Sequence, residues 1–537
     1  MTLPTDRRQS GGSLPRPARR RGSLRRGFQL GFLLFFGVLI ALTTYPLRSW
    51  LPVEFFLRMD PLLFITASLA SRTLAAGLGS ALAVLALTAL FGRFFCGWIC
   101  PLGTTIELAD DLLYRRHKRR WLNHRRVARG LKYVNLIVIL IASAAGNGLA
   151  FVLDPISLVT GAAAYVLYPA GAFLVNMGYD GLRPLADKAG WLSLSMADTR
   201  QGTLATASLA AAAMFVAILM ANRLQRRFWC RSLCPLGALL GLAARFTPFQ
   251  RRVGETCDHD GKCRRVCETG AIAEDETEYD PAECINCQRC VTDCHLGVVT
   301  FGPTDPRHRL AQPLDLGRRR LLTGVAGGVF GAMLFRMSPA RQIAPDVLIR
   351  PPGALPEDLF RKRCIRCGQC IKACPTSTLQ PDWFDGGLEA MWAPVVRPRL
   401  APCDQGCNVC GAVCPTGALR SLALDEKRYA RLGTAVIDIS RCLVWTSNRL
   451  CLVCDEACPY KAVYWVQDEK GKRRPYVDYR RCNGCGMCNS ACPVLGQGAI
   501  IVRPDYQIRL ATGSYIREAK RSGYQFEKMA SEDEIRN

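Results

Sequence analysis

The chain has 537 residues, 27 of them cysteine, and carries 70 Lys and Arg against 44 Asp and Glu, a formal net charge of +26. That length calls for several domains, and cysteines this frequent in a long chain with apolar runs exclude the small secreted scaffold whose disulfides replace a missing core. The charge leaves nucleic-acid binding or basic loops beside a membrane, and the apolar runs decide for the second.

In chain order, residues 1–26 hold eight arginines and one acid among Pro, Gly and Ser, which reads as a disordered basic cytoplasmic arm. Residues 27–250 read as a membrane domain. Apolar runs at about 28–47, 73–92, 133–153 and 203–221 approach the ~20 residues that a spanning helix needs. Segment 156–178 is apolar too, but its Gly and Pro content points to a re-entrant or periplasmic-side element; counting it gives five membrane helices instead of four. Positive loops favour the cytoplasmic face. The arm, Arg223–Arg231, and Arg115–Lys132 with nine Lys/Arg and no acid are basic, while 154–202 carries three Lys/Arg and four acids. Four spans put every basic stretch on the cytoplasmic side; five do not. Arg25-Arg26-x-Phe28 looks like a twin-arginine export signal, but no small-residue cleavage site follows and the next apolar run is long, so it is discounted.

Within this domain Arg93-Phe-Phe-Cys96-Gly-Trp-Ile-Cys100-Pro-Leu-Gly103 repeats as Arg227-Phe-Trp-Cys230-Arg-Ser-Leu-Cys234-Pro-Leu-Gly237. Residues 251–305 read as a cytoplasmic two-cluster ferredoxin domain. Residues 306–345 read as a linker whose Arg318-Arg319-Arg320-Leu-Leu and short Gly-rich core resemble a twin-arginine signal placed mid-chain, which would put the chain after about 340 in the periplasm. Residues 346–505 read as a four-cluster domain and 506–537 as a charged tail. The expected fold is an α-helical membrane bundle plus α+β ferredoxin-like domains.

The cysteines fall into three groups. Structural zinc uses Cys-x-x-Cys pairs a dozen or more residues apart, whereas the recurring unit here is the bacterial iron–sulfur run Cys-x2-Cys-x2-Cys-x3-Cys-Pro. Its spacing lets one tight loop wrap three corners of a cubane, and the fourth thiol can reach a neighbouring cluster. The C-terminal sixteen form four sets: Cys364, Cys367, Cys370, Cys374; Cys403, Cys407, Cys410, Cys414; Cys442, Cys451, Cys454, Cys458; and Cys482, Cys485, Cys488, Cys492. They predict four [4Fe–4S] clusters. The long gap makes Cys442 the weakest ligand assignment, and spacing does not say which sets pair. Upstream, Cys284, Cys287, Cys290 and Cys294 form a set with His295 in place of Pro. Before them stand Cys257, Cys263 and Cys267, with Asp260 where a cysteine belongs. Cross-ligation would give one cluster to Cys284, Cys287, Cys290 and Cys267 and another to Cys257, Cys263 and Cys294. The second would have Asp260 on one iron or be [3Fe–4S], a hard oxygen binding that iron more weakly than a thiolate; the alternative leaves Asp260 in solvent, with His259 or water filling the site.

The four thiols of the repeat, Cys96, Cys100, Cys230 and Cys234, leave three readings: a seventh cluster or metal, dithiol redox or transient metal handling, or thiols with no cofactor. None of the five histidines (His117, His124, His259, His295, His308) lies in an expected span, so haem b between helices is not expected. No Gly-x-Gly-x-x-Gly follows a strand, so no NAD or flavin site is expected. Donor and acceptor are then quinone or other proteins, and electrons crossing a ~30 Å hydrocarbon core need a quinol or a centre at the repeat thiols.

Four spans, two Cys-x-x-x-Cys-Pro units and a following ferredoxin segment resemble the NapH/MauN type of membrane ferredoxin. The twin-arginine segment with four cluster sets resembles the NapG/MauM type of exported polyferredoxin. The chain looks like the two fused near 300–345. That resemblance implies a multi-pass protein of the bacterial cytoplasmic membrane that oxidises quinol and delivers electrons to a periplasmic cytochrome or reductase. A second reading is an accessory reductase for maturing an oxidase or other cofactor enzyme. A redox-sensing regulator is the weakest, since no signalling or DNA-binding element is visible and no nucleic-acid partner is expected.

Overall fold

A computed structural model describes residues 16–47, 51–74, 79–113, 129–148, 153–189, 191, 206–303, 317–336 and 348–526. The chain divides into two compact units: Met1–Phe36, Ala83–Tyr133 and Leu219–Gly317 form the first, and Gly37–Leu82, Val134–Ile218 and Arg318–Asn537 the second.

Helix starts are written into the sequence as X-Pro pairs. Asp60 caps Pro61–Ser71, its Oδ1 accepting from the amides of Leu62 at 2.8 Å and Leu63 at 3.2 Å. Asp154 caps the helix that begins at Pro155, its Oδ2 accepting from the Ser157 amide at 2.8 Å. An acceptor at the cap and a proline at the first turn satisfy amides that have no helical partner. Both Cys-Pro pairs work the same way. Pro101–Leu113 follows Cys100, and Pro235–Ala244 follows Cys234, whose Sγ accepts from the Gly237 amide at 3.2 Å.

Among the described residues two helices are long and apolar enough to cross a membrane, Leu24–Leu42 and Pro155–Leu185. The first lies in the helix Arg16–Leu42, which begins inside the stretch expected to be a disordered arm; residues 1–15 lie outside the described residues. The second covers the segment 156–178, expected to be a re-entrant or periplasmic-side element. Pro155–Ala162 runs through a π-helical turn, Ala163–Leu167, into Tyr168–Ala189. Pro169 brings no amide to this ladder, and the wider turn just before it re-registers the bonding. The helix thus runs on through the Gly and Pro content of this segment. The other expected spans are shorter helices: Ser80–Phe91 with 12 residues, Leu131–Ala144 with 14 and Thr206–Met220 with 15. Positions 75–78, 149–152 and 203–205 of those runs lie outside the described residues, as do His117, His124, His308, 304–316, 337–347 and 527–537. The mid-chain twin-arginine segment is a helix, Arg318–Arg336.

In the first unit Phe249–Val253 pairs antiparallel with Val299–Pro303, and this ribbon closes the loop that carries seven cysteines. The second unit has three further two-stranded antiparallel ribbons: Leu379–Pro381 with Pro394–Val396, Thr434–Ile437 with Ile500–Arg503, and Val463–Gln467 with Arg473–Val477. Its core mixes Phe360, Leu379, Leu419 and Ile500 with Cys364, Cys403, Cys410, Cys482 and Cys488. Thiols inside the core couple cluster occupancy to folding. The chain beyond Pro504 packs down: the Ile508 amide donates to the Arg431 carbonyl at 3.1 Å, and Tyr515 is fully buried beside Leu422 and Ala430.

Candidate iron–sulfur sites

Four of the cysteine loops share one backbone. The residues two and four positions after the first ligand have positive φ: Arg366 (53°) and Gly368 (75°), Gly484 (79°) and Gly486 (85°), Asn286 (50°) and Gln288 (55°), His259 (49°) and Gly261 (70°). Left-handed residues on both sides of the second ligand turn the chain tightly around one point. The last pair flanks Asp260, so Asp260 occupies a cysteine's place in the backbone. The Cys403 loop and the Cys442–Cys454 segment have different gaps and do not follow this pattern.

The structure brings the C-terminal thiols together across sets. Burial first, then the charges of Cys367, Cys364, Cys414 and Cys410, raise Cys370; Cys414 likewise raises Cys364 and Cys367. Cys374 instead stands with Cys403, Cys407 and Cys410. Burial, then Cys451, Cys442 and Cys492, push Cys454 up to about 12. Burial with Cys482, Cys458 and Cys403 pushes Cys485 up to about 12, and Cys458 also acts on Cys488. Each helix-borne fourth cysteine therefore joins the three thiols of the partner set, first with second and third with fourth. Cys442 stands in its group despite the long gap. The second and fourth groups meet where the Cys403 amide donates to the Cys485 carbonyl at 2.8 Å.

In the first unit, burial and neighbouring thiols including Cys267 raise Cys284 and push Cys290 up to about 12, while burial and Glu268 push Cys287 up to about 11. Cys257 acts on Cys263, and Cys294 packs in the same core cluster. The Asp260 carboxylate turns to Lys262 and His295. Its Oδ1 accepts from the Lys262 amide at 2.8 Å, and its Oδ2 lies 3.0 Å from Lys262 Nζ and 3.4 Å from His295 Nδ1. His295 Nε2 is 3.0 Å from Asp258. The two departures from the motif, Asp260 and His295, thus face each other.

These groups fit iron–sulfur clusters. Thiols raised by burial and then by one another stay protonated without a metal, and metal entry displaces those protons. Amides point at the sulfurs: Ala271 to Cys267, Ala462 to Cys458, Ala499 to Cys492 and Ala435 to Cys482, each at 3.3 Å, and Leu419 to Cys414 at 3.4 Å. Such bonds stabilise bound thiolate and set cluster potential.

The repeat thiols also converge. Burial, Cys96 and Cys230 raise Cys100; burial, Cys230, Cys96 and Cys100 raise Cys234. The repeats clasp reciprocally. Arg93 Nη2 lies where a Cβ on Gly237 would be 2.8 Å away, and Arg227 Nη1 stands 3.6 Å from the same point on Gly103. Both glycines leave the space each guanidinium fills. Gly97 lies so close to the Cys284 loop that a Cβ would sit 2.2 Å from the Ile285 carbonyl oxygen, and Trp98 Nε1 donates to the Asn286 carbonyl at 3.0 Å.

Sequence reasoning missed the buried ion network beside these thiols. Glu107 meets Arg25 at 2.6 Å, Arg227 at 2.5 Å and Arg289 at 2.6 Å; Glu268 meets Arg289 at 2.6 Å, Arg227 at 2.7 Å and Arg25 at 3.1 Å. Arg25, half of the discounted export signal, is therefore buried inside the first unit.

Segments 73–121 and 204–254, which carry the two repeats, match a family model described as a 4Fe-4S binding domain. Residues 359–380 match a second 4Fe-4S binding domain model and 448–495 a 4Fe-4S dicluster domain. The methylamine utilization ferredoxin-type protein MauM of Methylorubrum extorquens is 39% identical over 207 residues, covering 36% of this chain and 92% of that protein. The ferredoxin-type protein NapG of Escherichia coli is 38% identical over 212 residues, covering 36% and 89%. The chain belongs to the MauM and NapG family of ferredoxin-type proteins. MauM of Methylobacillus flagellatus, 36% identical over 198 residues, covers a similar 35% of the chain and 80% of its own length. The family membership spans about a third of this chain and makes it an iron–sulfur electron-transfer protein. No solved structure matches it.

Proposed function

We propose that this protein is a membrane-bound quinol-oxidising electron carrier, a NapH/MauN-like half joined to a NapG/MauM-like half, that delivers electrons to a periplasmic cytochrome or reductase. The observation that carries the reading is the linear order of the C-terminal thiol groups. Cys364, Cys367, Cys370 and Cys414 adjoin Cys374, Cys403, Cys407 and Cys410, which meet Cys458, Cys482, Cys485 and Cys488, which adjoin Cys442, Cys451, Cys454 and Cys492. When bound, [4Fe–4S] clusters supply one-electron carriers at these four places. The chain's own residues hold them apart at fixed spacing and bury them. The last group reaches the surface: Leu450 and Leu495, one residue before Cys451 and three after Cys492, are 96% and 86% exposed. In the first unit, Asp260 with Cys257, Cys263 and Cys294 would hold one centre, and Cys267, Cys284, Cys287 and Cys290 a second. Cys96, Cys100, Cys230 and Cys234 would hold a seventh, with Arg93 and Arg227 countering its charge.

The test is reduction of the purified protein by a short-chain quinol, followed by absorption and electron paramagnetic resonance. Reduction on the seconds timescale supports the reading. Absence of reduction at every quinol potential, with full reduction by dithionite, refutes it and turns the first half toward the maturation reading.

A further inference from the structure

Among the described residues of the second unit, an apolar groove opens between the helix from Pro155 and the helix Thr206–Met220. Its walls include Leu158, Tyr165, Met214, Phe215, Arg366 and Trp392, and it is open on one side. Nothing so far assigns it a role.

Three features fix its chemistry. The groove borders the first C-terminal thiol group, because Ile365 and Arg366 lie between Cys364 and Cys367. The Tyr165 ring packs on the same loop: a Cβ on Gly368 would meet it at 2.8 Å, and its hydroxyl donates to the carbonyls of Arg366 at 3.0 Å and Trp392 at 3.2 Å. Arg366 is 6% exposed, and of its guanidinium nitrogens Nη1 donates to the Gly148 carbonyl and Nη2 to the Glu389 carbonyl, while Nε makes no hydrogen bond. A buried cationic donor without a partner in an apolar slot calls for an oxygen acceptor. The slot also lies along a helix apolar and long enough to meet lipid.

We infer that this groove is the binding site for the aromatic head of an isoprenoid quinol, with Arg366 Nε donating to one ring oxygen and Tyr165, Phe215 and Trp392 flanking the ring. The inference rests on the quinol-oxidising reading and locates its site. Oxidation there breaks both O–H bonds and leaves the quinone. The two electrons would be taken one at a time by the iron–sulfur centre that Cys364, Cys367, Cys370 and Cys414 would hold and passed along the other three groups to the external redox protein, which is reduced, and the two protons go to water at the groove's open side. The lipid tail needs no polar partner and leaves along the apolar helix faces.

The test uses the full-length protein in lipid nanodiscs and a photoreactive azido-quinone. Label is expected on peptides within 157–165, 211–218 or 365–392. Met214→Trp, which fills the groove from a half-buried position, should cut labelling at least tenfold and raise KM for quinol as much, while dithionite-reduced spectra stay as in the wild type. Gly161→Ile narrows the slot from the opposite helix and should do the same. Labelling elsewhere, or two well-folded variants that bind quinone as the wild type does, overturns the groove while rapid quinol reduction of the wild type leaves the quinol reading standing. Failure of the wild type itself to accept quinol electrons removes both.

Discussion

Glu268→Gln is the sharpest test of the buried network. Glu268 is fully buried, and three guanidinium groups reach it within 3.1 Å, with Arg226 at 3.7 Å. Removing one member of a buried ion pair costs about 3–5 kcal/mol, because the partner charge is left uncompensated. Here Glu107 still holds Arg25, Arg227 and Arg289, which favours the lower end, about 3 kcal/mol. At ~2–4 °C per kcal/mol for 150–250 residues, thermal loss of the iron–sulfur absorbance should begin on the order of 10 °C earlier. The pH dependence has a definite sign. Burial alone would raise the Glu268 carboxyl, but Arg227, Arg289, Arg25 and Arg226 outweigh it and hold it well below the ordinary range. Its stabilisation is therefore complete above the ordinary Glu value of about 4.3 and is lost as pH falls through the depressed folded value. The Gln variant should lose that acid limb. Melting within 2 °C or so of the wild type, with an unchanged acid limb, would refute the assignment of a shared anionic hub.

Asp260→Cys supplies a fourth thiol on a loop already shaped for one, so iron per chain should rise or a [3Fe–4S] paramagnetic signal should vanish; an unchanged spectrum with no such signal in the wild type removes Asp260 from the site. Cys100→Ser with Cys234→Ser should lower iron content by about four atoms per chain if the repeat thiols hold a cluster, and iron equal to the wild type would leave them as dithiols. Asp60 and Asp154 are both buried, and burial first raises both, Asp60 also through Asp154's charge. A raised carboxyl stabilises below its folded value and the gain is lost as pH rises through it, so Asp60→Asn should fold and flatten that alkaline-side loss, whereas Asp60→Leu, which also removes the helix cap, should melt earlier at every pH.

Cysteine spacing made the thiol groups legible because three ligands at intervals of three are a local backbone property. Gly261, Gly368, Gly484 and Gly486 show how local: their left-handed φ is the loop. Asp260 was legible for the same reason. Which sets pair was not, because Cys374 and Cys414 reach their partners by tertiary packing of the helices Gln369–Ala373 and Val409–Ala412. The ion hub was illegible in another way. Arg25, Glu107 and Glu268 lie up to 243 positions apart, and single charges in a basic chain carry no spacing signal. The continuous helix over 156–178 was not legible in its Gly and Pro content, because a π turn before Pro169 and the helix around Pro184 accommodate both prolines.

The basic excess acquires a local meaning beside the thiols. Four thiolates outweigh an iron–sulfide core, so each loaded site is anionic, and a buried anion needs a nearby cation. The chain supplies one at nearly every site. Arg251 Nη2 lies 3.5 Å from Cys263 Sγ, Arg231 acts on Cys267, Arg227 and Arg93 on Cys230, Arg366 and Arg350 on Cys364, Lys427 on Cys403 and Arg431 on Cys482. The group of Cys442, Cys451, Cys454 and Cys492 is met through the main chain: Arg399 Nη1 donates to the Cys492 carbonyl at 2.9 Å, and Arg441 Nη2 to the Leu495 carbonyl at 3.0 Å. Arg399 also donates to the carbonyls of Asn489 and Val494, each at 2.8 Å, so one guanidinium holds the turn that carries Cys492. Adding an electron to an anionic centre costs more once its cation is removed, so Arg399→Gln should move one centre to a more negative potential; a redox titration in which every centre kept its wild-type potential would refute the pairing of guanidinium with cluster.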